Sequence, residues 1–174
     1  ESLVDLEEHI RVLVVGIRGE QHESNDKGIG QQLETTIRAL HKPILVVNNA
    51  FAQPQTIMLA YDGSEAAQKA LDMVTTSPLF KAVSCHLVHV VAKETENDSV
   101  LVAAKEKLTR AGIDTTSVCL VGKNEDVLPE YQAKHNIDLT VMGAFSHNRV
   151  RDFLWGSFTV TMLRKTQKPL LLLR

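Results

Sequence analysis

Residues 137–174 read IDLTVMGAFSHNRVRDFLWGSFTVTMLRKTQKPLLLLR. An apolar run, residues 139–142, ends at Gly143. A polar, basic loop follows, Gly156-Ser157 opens a segment of helical character, and Pro169 begins a second apolar run. Strand, glycine loop, glycine-serine, helix, strand is the layout of an anion site at the edge of an α/β sheet. Glycine lets backbone N–H groups approach an anion closely, and a helix start adds unpaired donors and partial positive charge.

The layout occurs twice. Residues 10–47 read IRVLVVGIRGEQHESNDKGIGQQLETTIRALHKPILVV. Gly16 and Gly143 are 127 apart; Gly30 and Gly156, Arg38 and Arg164, and Pro43 and Pro169 are each 126 apart. One extra loop residue in the earlier stretch accounts for the change. Self-similarity at a fixed offset is the signature of repeated units. The expected organisation is the C-terminal part of one unit, residues 1–50, followed by a complete unit, residues 51–174. On this reading the first unit would begin well before residue 1.

Composition narrows the function classes. A chain of 174 residues with 44% hydrophobic content can bury a substantial core. A net charge of −2 gives no global case for nucleic acid or an anionic membrane surface. No apolar run approaches the ~20 residues of a membrane helix. Cys85 and Cys119 each sit in an apolar, strand-like run and are expected to be buried, reduced thiols, which suits the cytoplasm.

From residue 56 onward, short apolar runs alternate with helical patterns. The first, TIMLAY (56–61), ends in Asp62-Gly63-Ser64. Ser64 has the character of an N-cap for a helix whose apolar face is Ala66, Ala70, Leu71 and Val74. Further strands are expected over 83–91, 115–121, 139–142 and 170–173, with helices over 100–111 and 125–135 and another from Ser157. In the earlier stretch, strands over 11–16 and 43–48 flank a helix over 32–40. Apolar strands alternating with helices imply a parallel sheet covered on both faces. Ligands in such sheets bind beyond the C-terminal strand ends, where strand order reverses. If strands 56–61 and 139–142 are neighbours, Asp62 and the Gly143 loop share one crevice.

These residues resemble the universal stress protein family. Its nucleotide-binding members carry glycine, two residues, glycine, nine residues, then glycine and serine or threonine. Here the series is Gly143, Ala144-Phe145, Ser146, nine residues, Gly156-Ser157. The nine-residue spacing holds, and Ser146 stands at the middle glycine. Asp62-Gly63-Ser64 after the first strand and His89-Val90-Val91 ending the second also resemble the family. The resemblance covers residues 56–174 as a complete domain and residues 1–48 as the rear of another, which is the tandem type. It implies an α/β fold with a five-stranded parallel sheet in the order 3-2-1-4-5, helices on both faces, and a partial second copy. It also implies binding of ATP, or AMP or ADP, with magnesium as a candidate counter-ion. Ala60, Asp62 and Val90 would lie at the adenine side and Gly143 near the ribose. Ser146, Gly156, Ser157, Phe158 and Thr159 would hold phosphates.

Other residues carry less. Strand alternation places Cys85 and His89 on one side and His86 on the other, which disfavours a zinc site. His147, Arg149 and Arg151 add positive charge to the loop. No paired acid, nucleophile or P-loop lysine is present, so no enzymatic role is expected and no base is identified for even a slow ATPase. The apolar strands 44–47 and 170–173 lack protective charges, and an exposed apolar edge invites pairing. They are expected to associate, within one chain or between copies. A nucleotide-free interaction module of the same fold is the rival reading.

Overall fold

The computed structural model describes residues 7–16, 41–47, 52–93, 99–144, 161, 162, 165 and 168–174. A 3₁₀ turn at Glu7–His9 precedes β1 (Leu13–Gly16) and β2 (Ile44–Val47). Then come β3 (Thr56–Ala60), α1 (Glu65–Thr76), β4 (Ser84–Val91), α2 (Ser99–Arg110), β5 (Asp114–Val121), α3 (Asn124–Lys134), β6 (Leu139–Gly143) and β7 (Leu170–Leu173). A helix over 32–40 and the start of one at Ser157 fall outside the described residues; Thr161, Met162 and Lys165 are helical.

The strands form one sheet in the order β1-β2-β7-β6-β3-β4-β5. It is larger than the five-stranded parallel sheet expected from the resemblance. The strands from residue 56 onward lie in the order β5-β4-β3-β6-β7, and β2 and β1 extend the sheet beyond β7. All neighbours are parallel except β2 and β7, which pair antiparallel with Ile44 opposite Leu172, Leu45 opposite Leu171 and Val46 opposite Leu170. The two apolar strands lacking protective charges therefore cover each other. All four β7 leucines are at most 5% exposed, and burying each contributes about 1.5–3 kcal/mol.

Two apolar layers cover the sheet. On one face α1 and α2 enclose Ile57, Leu59, Cys85, Leu87, Val141, Leu171 and Leu173. On the other, α3 and Met162 enclose Ile44, Val46, Met58, Val88, Met142, Leu170 and Leu172. Each central strand alternates between the layers. Cys85 is 1% exposed, and burial pushes its thiol up to about 12. Cys119 corrects the expectation of two buried thiols: it is exposed, on β5, which among the described residues ends the sheet with β4 as its one neighbour.

α3 contains Pro129, yet continues through it. Proline has no N–H, so the carbonyl four residues earlier, that of Glu125, loses its helical donor. Lys165 Nζ donates to Glu125 O at 2.8 Å and to Asp126 Oδ1 at 2.9 Å. That contact satisfies the orphaned carbonyl and holds the Asp126 carboxyl below the usual carboxylate range. α3 closes at His135, and Asn136 follows with φ 51°, a left-handed position that asparagine tolerates after a helix.

At the other end of the strands, Asp138 fixes the start of β3. Its Oδ2 accepts from the N–H groups of Gln55 and Thr56, each at 3.0 Å. Asp138→Ala leaves two backbone donors without that acceptor, one of them half-buried. The expected loss is about 1–3 kcal/mol in urea unfolding. Asp138→Asn, whose amide oxygen still accepts, should lose less; equal losses for the two substitutions would reject the staple.

Candidate functional site

β3 lies between β4 and β6, pairing parallel with both. Chain order reverses at β3, since the connection to β4 leads one way and the return to β6 passes to the opposite flank. A crevice opens at such a switch point, beyond the C-terminal strand ends. Asp62 and Gly143 stand there, at the ends of adjacent strands.

The loop after β3 is built locally. Tyr61 N–H donates to Val88 O at 2.8 Å and extends the pairing with β4. Gly63 has φ 77°, in the left-handed region that favours glycine. Ser64 N–H donates to Asp62 Oδ1 at 3.0 Å, and Ser64 Oγ accepts from Ala67 N–H at 3.3 Å as the N-cap of α1. The turn thus fixes the Asp62 carboxylate, which is exposed at the crevice. Behind it Tyr61 is 5% exposed and bonded to Gln68; burial is the main cause raising its phenol above the usual range.

Ala60 lies between Val88 and Met142 across the sheet and is half-buried. Val90 is two residues beyond Val88, past the end of β3, and packs against the same layer as Ala60. Ala60, Asp62, Val90 and Gly143 are therefore four of the nine candidate site residues whose positions are described. Ser146, Gly156, Ser157, Phe158 and Thr159 lie outside the described residues, as do His147, Arg149 and Arg151. The four combine a small apolar floor with one carboxylate held in a turn. Such a surface accepts hydrogen bonds from a flat, partly apolar ligand.

Gly143 has a second role. A Cβ there would lie 2.8 Å from Ala66 Cβ and Ala67 N and 2.9 Å from Ala66 C. α1 thus sits directly on the end of β6, and glycine is needed for its backbone to approach. The start of α1 is also filled: Ser64 caps it, and the Glu65 carboxylate, paired with Lys69 at 2.9 Å, occupies its first turn. A negative side chain there opposes a second anion. An anion in this crevice thus needs donors from elsewhere, which is the role expected of residues 156–159.

A second polar cluster stands on the α3 face. His86 Nδ1 and Tyr131 Oη are 2.8 Å apart, Tyr131 stacks on His135 with centroids 4.1 Å apart, and the His86 and His135 rings are 5.4 Å apart. Beside it, Gln132 Nε2 donates to buried Thr140 Oγ1 at 2.8 Å. Tyr131 and His135 are one helical turn apart on α3, whereas His86 comes from β4, so sequence spacing gave no sign that the three meet. Cys85 lies in the opposite layer. Among the described residues no group of three His, Cys, Asp or Glu is placed to hold a metal ion, and no helix is long and apolar enough to cross a membrane.

Comparison with known proteins agrees with this fold. The family model described as the Universal stress protein family matches residues 54–174. Universal stress protein Slr1230 of Synechocystis is 34% identical over 176 residues, covering 100% of this chain and 61% of that protein. A universal stress protein structure from Archaeoglobus fulgidus superposes with a TM-score of 0.75 at 18% identity, over 99% of this chain and 63% of that one. The chain thus spans about three fifths of either relative. Hypothetical protein MJ0577 (TM-score 0.60, 24% identity) aligns over 70% of this chain and 96% of its own. A universal stress protein solved in complex with cAMP (0.59, 21%) aligns over 71% and 98%.

Two outcomes follow from the site geometry. Gly143→Ala forces α1 off β6 and should cost about 1–3 kcal/mol, with amide shifts of Gly63 and Ser64 moving in the same spectrum; an undisturbed loop would reject the contact. The second concerns pH. Burial, then the neighbouring His135, holds the His86 imidazole below its ordinary value of 6.5. The unfolded chain then binds more protons, so this stability is complete above about pH 6.5 and is lost as pH falls through the folded value. The urea midpoint should drop between about pH 7 and about pH 5, and less steeply in His86→Gln. Parallel profiles for the two proteins would show that His86 does not contribute.

Proposed function

We propose that this chain, which belongs to the universal stress protein family, binds ATP or another adenine nucleotide in the unit formed by residues 51–174. The observation that carries the reading is the reversal of chain order at β3, which brings Asp62, fixed in its turn, and Gly143 to the ends of adjacent strands. The adenine lies against Ala60 and Val90 with Asp62 accepting from its polar edge. The ribose lies near Gly143, and Ser146, Gly156, Ser157, Phe158 and Thr159 hold the phosphates, with magnesium as counter-ion. The relative solved with cAMP supports an adenine nucleotide as the ligand class. The protein acts as a cytoplasmic stress-response sensor or effector whose partner surface responds to nucleotide, not as an enzyme.

The reading includes a tandem organisation, with residues 1–50 as the C-terminal part of a first unit. Its support is register. β1 opposes β2 as β6 opposes β7, with Leu13 against Ile44 where Thr140 meets Leu170, and Gly16 against Val47 where Gly143 meets Leu173. The antiparallel pairing is unchanged when the two stretches are exchanged, since Ile44 opposite Leu172 becomes Leu170 opposite Val46. The same pairing favours the second reading, an interaction module that works without nucleotide.

Denaturing the purified protein and chromatographing the supernatant should reveal adenine nucleotide, and calorimetry should show saturable ATP binding. Asp62→Ala should weaken it about tenfold, or ~1.4 kcal/mol, the worth of a hydrogen bond to a charged group. Binding by Ser146→Gly but not by the unaltered chain would mark a site closed at that residue. Absence of binding by both would leave the interaction module as the better account.

A further inference from the structure

Among the described residues β5 has β4 as its one neighbour. Gly122 N–H donates to Val91 O at 3.0 Å, so the even-numbered residues of β5 turn their backbone groups toward β4. Alternation turns those of Thr115, Ser117, Cys119 and Val121 outward. None of these four is charged, and β5 has no proline; Asp114, its first residue, is its one charged side chain. An eight-residue edge so lightly defended invites pairing. The side chains alternate too. Val118 and Leu120 pack against the layer under α3, while Ser117 and Cys119 line a groove on the opposite face, beneath α2. This groove is open, about 810 Å³ in volume, and its other wall includes Val102, Lys105 and Glu106. Val102 is 57% exposed. The lining runs from residue 101 to 110 on the helix and from 117 to 119 on the strand. Its centre therefore falls at Val118 and between Lys105 and Glu106. Glu106 pairs with Arg110 at 2.9 Å, whereas the Lys105 ammonium has no ion-pair partner among the described residues.

We propose that this edge pairs with β5 of a second copy of the chain, antiparallel, about a twofold axis through Val118. Only outward-facing residues can exchange hydrogen bonds there, and this axis matches them: Thr115 with the partner's Val121, and Ser117 with the partner's Cys119. The same axis sets the two α2 helices side by side over the joined grooves. Val102 then faces the partner's Thr109, and Lys105 faces the partner's Glu106. The axis makes each contact twice, so adjacent opposite charges become a self-complementary surface. A foreign strand would meet the backbone ladder alone; a second copy meets the ladder and the charges. β4 and β5 separate β3 from the junction. The Asp62 crevice thus stays outside it, and the pairing does not depend on nucleotide.

The test is sedimentation of the intact chain over a concentration series reaching about 0.5 mM, with amide exchange followed residue by residue. A dimer is expected, and as it forms the amides of Thr115, Ser117, Cys119 and Val121 should exchange more slowly. Ser117→Pro removes an outward donor, a change tolerated at a sheet edge, and should weaken association about tenfold or more. Val14→Lys, at the opposite edge where Val14 is 59% exposed, should leave it unchanged. Lys105→Glu and Glu106→Lys each bring like charges together and should weaken the dimer. Combined, they restore opposite charges and should associate more tightly than either alone. Circular dichroism melts verify that each variant is folded. A monomer at every concentration, association lost in Val14→Lys, or association insensitive to Ser117→Pro overturns the proposal. So does a double exchange that associates no better than the single ones, or a dimer whose four outward amides exchange as fast as in the monomer.

Discussion

The antiparallel seam between β2 and β7 is the contact on which the architecture depends. Without it, each strand would expose an apolar ladder of unpaired backbone groups, the arrangement that leads to uncontrolled association. With it, β7 becomes an interior strand and its leucines alternate between both core layers. Ile44 and Val46 join the layer under α3, and Leu45 packs against the one under α1 and α2. Both cores therefore run across the seam.

Gly143 links this core to the crevice. A glycine at the end of a strand before a polar loop invites a reading in terms of ligand approach, because missing side chains bring backbone donors close to anions. Here the neighbour that requires it is α1, through Ala66 and Ala67. The two roles are compatible: the contact seats the first turn of α1, which directly follows the turn holding Asp62. The close packing of α1 on the end of β6 thus depends on one absent methyl group.

Much of this was legible in the sequence because the information was periodic or local. The apolar runs gave the strands, Ser64 gave the start of α1, and the Lys-Pro pairs marked the starts of β2 and β7. Undefended apolar edges announced the seam. What stayed hidden depended on distant contacts. Cys119 sits in a run as apolar as that of Cys85, and only strand order makes one exposed and the other buried. Asp138 looks like an ordinary surface acid until the start of β3 is brought against it. His86, Tyr131 and His135 meet only because α3 folds back over β4. For the candidate site, the Asp62 turn could be read from the chain, whereas the approach of α1 to Gly143 could not.

The Lys165 contact alters how substitutions at two distant positions should be judged. A proline in a helix is usually treated as a local defect, and a surface lysine as freely replaceable. Here Lys165 supplies, across 40 residues, the donor that Pro129 lacks. The two residues therefore act as one structural unit. Their separate effects on the fold are non-additive, and each sets the background against which the other can change.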